Sequence, residues 1–168
     1  MTPLNRNRVT TLTLLAAGLV ALGACSQESS GPDAAGEDEA WPEVEIGTLA
    51  QGDLREADLT GELACSFGVD DTREPVFLAR ADVVPDAFAN GVIKVDGRVE
   101  PVRSTTEGGF NAMLDGESFA GGGLMVTIAV TGEPVSNGQE SPPMPARLEY
   151  ESDDGVQMEV QGEWRCGP

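Results

Sequence analysis

Ala146-Arg147-Leu148-Glu149-Tyr150-Glu151-Ser152-Asp153-Asp154-Gly155-Val156-Gln157-Met158-Glu159-Val160-Gln161-Gly162-Glu163-Trp164-Arg165-Cys166 reads as one long antiparallel hairpin. Ala146, Leu148, Tyr150 and Ser152 alternate with Arg147, Glu149 and Glu151, the period of two that a strand with one buried face requires. Asp153-Asp154-Gly155 supplies the turn. Val156, Met158, Val160, Gly162, Trp164 and Cys166 then form the apolar phase of the returning strand, against Gln157, Glu159, Gln161, Glu163 and Arg165.

The same texture extends back to Gly61. Leu63, Cys65, Phe67 and Val69 alternate with polar or small residues, as do Phe77, Ala79, Ala81 and Val83. Val92-Ile93-Lys94-Val95 and Arg98-Val99-Glu100-Pro101-Val102 flank Asp96-Gly97, a pair suited to a tight hairpin turn. Pro101 donates no hydrogen bond, so its strand is expected at a sheet edge. Phe110, Ala112 and Leu114 precede Asp115-Gly116, another turn signal, and Gly121-Gly122-Gly123 opens the most apolar strand, Leu124 to Thr131. No segment keeps a 3.6-residue period over the length of a helix. Roughly eight short strands over residues 61–168 predict an all-β domain, either an antiparallel sandwich or a small barrel.

Composition narrows the chemistry. The chain has 168 residues, 29 acidic and 10 basic, with a formal net charge of −19 and no histidine. Histidine-dependent triads and imidazole metal sites are therefore impossible. So acidic a surface also disfavours nucleic acid as a partner, because phosphate binding needs a basic surface. The only lysine is Lys94, and near-absence of lysine fits a high-GC coding bias that accounts for the acidity as well as a partner would.

Residues 1–24 have the layout of an export signal. Arg6 and Arg8 precede a run from Val9 to Leu22 that is almost wholly apolar or small, and no acid occurs before Glu28. That run is short for a bilayer span and right for a signal peptide's apolar region. It ends in Leu22-Gly23-Ala24-Cys25, which resembles the lipobox of bacterial lipoproteins. The resemblance covers residues 1–26. It implies cleavage before Cys25, diacylglycerol on its thiol and acylation of the new terminus, together enough chains for stable anchoring to a membrane. Ser26 at the next position favours the periplasmic face of the outer membrane in a Gram-negative host.

Residues 25–60 are expected to be the lipidated cysteine and a flexible acidic linker. Residues 26–60 hold ten acids against one base, Arg55, and too little apolar surface to fold alone. Within Trp41 to Leu59, Val44, Ile46, Leu49, Leu54 and Leu59 could dock on the domain or form a short helical turn, but irregular structure is expected.

With Cys25 committed to lipid, Cys65 and Cys166 remain as a pair in an oxidising compartment. Both lie on the apolar phase of their strands, so a disulfide would tie the first strand of the domain to the last across 100 intervening residues. Chain-entropy arguments give such a loop about 4–5 kcal/mol.

Candidate catalytic, cofactor and metal residues are none. Lys94 is the only possible base for a serine–lysine arrangement and lies beside a hairpin turn without a diagnostic motif. The turns Asp70-Asp71 and Asp153-Asp154 could offer oxygen ligands to calcium, but lack the spacing of a calcium loop. The segment 132–145, the longest irregular stretch of the domain, could carry recognition. The expected function is a non-catalytic, lipid-anchored envelope protein binding another protein or an envelope component. One alternative is inhibition of a basic envelope enzyme such as lysozyme. The chain is similar to the membrane-bound lysozyme inhibitors, small β-barrel lipoproteins with a disulfide joining the domain's ends. It lacks their Ser-Gly-x-x-Tyr segment, so no site residues carry over. A second alternative is a hydrolase working with two carboxylates. Thiol titration of the exported protein under denaturant should find neither Cys65 nor Cys166 reactive until a reductant is added; two reactive thiols would remove the bridge.

Overall fold

Eight strands follow one another in antiparallel order. In the computed structural model, which describes residues 43–69, 74–135, 138 and 140–168, they are β2 (Leu63–Gly68), β3 (Phe77–Ala81), β4 (Asn90–Val95), β5 (Arg98–Ser104), β6 (Ser118–Gly121), β7 (Leu124–Val130), β8 (Met144–Ser152) and β9 (Gln157–Gly167). Each pairs with the next, and β9 returns to β2 in the register Cys65↔Cys166 and Phe67↔Trp164. The sheet therefore closes on itself. Of the two all-β architectures open from the sequence, the chain adopts the barrel.

Local chemistry places the hairpins. Asp96 (φ 49°) and Gly97 (φ 76°) both occupy the left-handed region that a type I′ turn demands, joining β4 to β5. Gly122 (φ 61°) and Gly123 (φ 80°) do the same between β6 and β7, so the glycine run forms a turn rather than the start of a strand alone. The long final hairpin has the alternation described above: Ala146, Leu148, Tyr150 and Trp164 are buried, and Gln157, Glu159, Gln161 and Glu163 are exposed.

The interior is filled by rings set against small residues. Phe67, Phe77, Phe119 and Trp164 are fully buried, with Phe77 4.8 Å from Phe119 and 6.2 Å from Trp164 between ring centroids. Such tilted aromatic pairs add to what their burial contributes. Gly162 and Gly91 make room for them. A Cβ on Gly162 would lie against the Gly68 carbonyl oxygen and 2.7 Å from the Phe67 ring, and one on Gly91 would lie 2.9 Å from Phe77 Cζ.

One end of the barrel is stoppered by α2 (Gly109–Met113). Here the alternation of Phe110, Ala112 and Leu114 sits on a single helical turn instead of a strand. Hydrogen bonds to the distant 82–89 connection decide this: the Ala87 carbonyl accepts from Gly108 and Gly109 N–H, and the Asp82 carbonyl accepts from Phe110 N–H. Met113 is fully buried, and its carbonyl accepts a 2.7 Å hydrogen bond from Trp164 Nε1–H, satisfying a donor inside the core.

Two other expectations are corrected. Residues 43–60, assigned to a linker with irregular structure, carry β1 (Ile46–Gly47), paired with β4, and α1 (Gln51–Glu56). Leu49 and Val92 are each 1% exposed, although neither belongs to the main core; α1 and the turn before it shelter them on the barrel's outer face. The second correction concerns Pro101. Its strand is no edge, because β5 pairs with both β4 and β6, but the ladder to β6 includes only Arg103 and Ser104. The proline lies beyond that ladder, where a missing donor is tolerated.

Gly162→Ala should destabilise the barrel by about 1–3 kcal/mol, the cost of forcing a methyl into a filled core, as measured by equilibrium unfolding. A loss within error of zero would mean that β2 and β9 do not approach this closely at Gly162.

Candidate functional site

The two ends of the barrel differ in kind. The connections 82–89 and 105–117, with the described residues between β7 and β8, lie at the end that holds α2. The tight turns at Asp96-Gly97, Gly122-Gly123 and Ser152–Val156 gather at the other, together with Glu43 and Val44. Between them is a concavity of about 260 Å³. Val95, Leu124 and Tyr150 contribute apolar surface to it, and Glu43, Asp96, Glu100 and Asp154 contribute carboxylates, with Arg98 the only basic residue in the lining.

Alternation along β8 aims Tyr150 inward, and the Asp96-Gly97 turn carries an acid into the lining. Tyr150 is 6% exposed. Burial pushes its phenol above the ordinary tyrosine range; a hydrogen bond with Ser152 pulls the other way, and the negative charges of Asp96, Asp154 and Glu100 add to the rise. The phenol therefore stays protonated at neutral pH, a neutral polar group beneath an acidic rim. Asp96 is also structural. Its Oδ1 accepts the Glu45 N–H at 2.9 Å, and its own N–H donates to the Glu45 carbonyl at 2.8 Å, fastening the β1 region to the turn. Arg98, 77% exposed, reaches Glu100 at 3.4 Å, so one cation partly offsets the carboxylates. Chemically, this mouth favours a positively charged group and repels an anion.

Cys65 and Cys166 are joined by a disulfide, their Cα atoms 4.1 Å apart across the β2–β9 pair. Cys65 is fully buried and the bond packs within the core, a structural position. Cys25 and Asp70-Asp71 lie outside the described residues. Asp153 and Asp154 are exposed turn residues, with the Asp153 N–H donating to the Gly123 carbonyl at 2.8 Å. Among the described residues no three acids or cysteines come close enough to hold a metal ion. The segment 132–145 is partly described; the Val135 N–H donates to the Pro143 carbonyl, which folds it back on itself at the end away from the mouth.

Sequence reasoning missed the mouth. Its signal was the coincidence of acidic residues at the turns that short hairpins bring to one end. It also missed the partner of Lys94, whose Nζ donates to Asp53 Oδ2 at 2.7 Å on the outer face. The same carboxylate oxygen accepts the Ala50 N–H at 2.9 Å and so holds the first turn of α1. The chain matches no protein-family model, no curated protein and no solved structure.

The hydrogen bond from Lys94, then that from Ala50, holds the Asp53 carboxyl below the usual aspartate range despite an opposing desolvation effect. A lowered folded-state value means that its contribution to stability is complete above the unfolded value, about 3.9, and fades as pH falls through the folded value. Asp53→Asn should therefore be less stable than the native protein at pH 7, with the difference shrinking below about pH 4. Unfolding curves that keep a constant separation down to pH 2 would exclude the ion pair as its source.

Proposed function

We propose that this chain is a lipid-anchored envelope protein, held to a membrane by acyl chains on Cys25. On this reading its barrel is a non-catalytic module that binds another protein or an envelope component at the periplasmic face of the outer membrane. The observation that carries the reading is the solid interior. Trp164, Phe67, Phe77 and Phe119 fill the barrel from within and α2 stoppers one end, so recognition falls to the outer surface and the mouth. A disulfide-tied domain suits an oxidising space outside the cytoplasm.

The acidic mouth favours a second reading, inhibition of a basic envelope enzyme such as lysozyme. Opposite charges speed encounter at low ionic strength, and salt screens the effect beyond roughly 10 Å.

Mass spectrometry and fractionation of the protein from its native host test the anchor. The expected result is a chain that begins at an acylated Cys25 in the membrane fraction, with Cys25→Ser released from it. An uncleaved, unmodified chain in the cytosol would contradict the proposal. A lysozyme assay tests the second reading: salt-sensitive inhibition supports it, and full lysozyme activity at low salt removes it.

A further inference from the structure

Most basic residues of this acidic chain are already spoken for. Among the described residues, Lys94, Arg98, Arg147 and Arg165 each lie within 3.5 Å of a carboxylate oxygen. Arg55 Nε donates to the Gln51 carbonyl at 3.2 Å. Arg80 and Arg103 have no ion pair among the described residues. With 29 acids against 10 bases, a guanidinium without a carboxylate runs against expectation, and here two of them are neighbours.

Sheet register sets them side by side, at the end of the barrel away from the mouth. Ala64, Arg80, Asn90, Arg103 and Ala120 form one row across β2 to β6. Ala79, Ala81, Ala89 and Val102 are buried in the core, so alternation turns Arg80, Asn90 and Arg103 outward. Neighbouring strands stand about 4.8 Å apart, which puts the two arginine Cα atoms about 10 Å from each other with Asn90 between them. The next row toward the mouth, Ser66, Leu78, Val92 and Pro101, carries no charge. Toward the α2 end stand Glu62 and Asp82. The Glu62 N–H donates to Asp82 Oδ1 at 3.2 Å, and neither carboxylate forms an ion pair with the arginines.

Each guanidinium is held in its own way. That of Arg103 lies 4.0 Å from the centroid of the Phe88 ring, a contact that orients its plane and leaves its edge donors to another partner. Arg80 is half-buried, and its Nε is buried without an acceptor. A charge drawn partly out of water gains from an anion at its remaining nitrogens. The two cations also repel each other, and an anion shared between them removes that repulsion.

We propose that Arg80, Asn90 and Arg103 form a binding site for a compact oxyanion of the phosphate monoester class, with a guanidinium on either side and the Asn90 amide between. Arginine donors match phosphate oxygens in bidentate fashion. The formal net charge of −19 selects for compactness. An extended polyanion or an anionic bilayer meets the acidic remainder of the surface, whereas a single group between the arginines meets it least. The site depends neither on acylation of Cys25 nor on the mouth, and it adds a small anionic ligand to what the barrel recognises.

The test titrates methyl phosphate into the full-length protein in mild detergent at constant ionic strength, followed by the NMR signals of the arginine Nε–H and asparagine side-chain amide groups. Saturable shifts are expected at Arg80, Asn90 and Arg103. Binding should tighten as pH rises through about 6, where a monoester becomes dianionic, because the protein has no histidine to titrate there. Arg80→Gln and Arg103→Gln should each weaken binding at least tenfold. Asn90→Asp, which alters charge at nearly constant size, should do the same. Arg147→Gln removes an equal charge from the outer face of β8 and should leave affinity within twofold. A native Trp164 indole signal in each variant shows that the barrel has kept its fold. Shifts that never saturate, saturable binding that survives all three site variants, or an equal loss in Arg147→Gln would overturn the proposal. So would flotation of the Cys25→Ser protein with phosphatidate vesicles in the absence of methyl phosphate binding, since the ligand would then be a lipid surface.

Discussion

Cys65 and Cys166 face each other across the seam where β2 meets β9, the pairing that turns a row of hairpins into a closed barrel. Hairpin contacts are local and form at small entropic expense, whereas this seam joins segments 101 positions apart. A covalent link there removes much of the freedom the unfolded chain would otherwise regain. It also sets the register: with Cys65 opposite Cys166, Phe67 falls opposite Trp164, and both rings point into the core. A slip of one residue would turn Trp164 to solvent and Arg165 inward.

The aromatic filling follows from that register. Large rings at Phe67, Phe77, Phe119 and Trp164 need missing side chains opposite them, and Gly91 and Gly162 supply the space. The Trp164 indole N–H would be stranded in such an interior, and the Met113 carbonyl of α2 accepts it. Seam, core and stopper are thus one connected construction. An interior this full leaves the acidic mouth as the distinctive concave region of the described surface.

Much of this was legible beforehand, because hairpins announce themselves locally. The alternation from Ala146 to Cys166, the Asp96-Gly97 turn and the apolar run after Gly123 all mark strands now found there. The shared apolar phase of Cys65 and Cys166 foretold their pairing. Barrel and sandwich could not be told apart, since a disulfide between the first and last strands does not reveal whether β2 and β9 share a hydrogen-bonded ladder. Helices α1 and α2 were hidden by brevity: neither is long enough to show a period. The burial of Val92 gave no sign of itself, because it lies on the opposite side of β4 from Gly91 and Ile93, where alternation predicts solvent. The mouth escaped for a similar reason, its acids being scattered along the chain and united only by topology.

The most direct test of the seam is reversible guanidinium unfolding of the native protein beside a Cys65→Ser, Cys166→Ser double variant. If the bond closes the barrel as described, the variant should lose about 2–5 kcal/mol, the usual loss when a native disulfide is removed from a small secreted domain. Superimposable unfolding curves would contradict the account, because a barrel indifferent to that bond is not held shut by it.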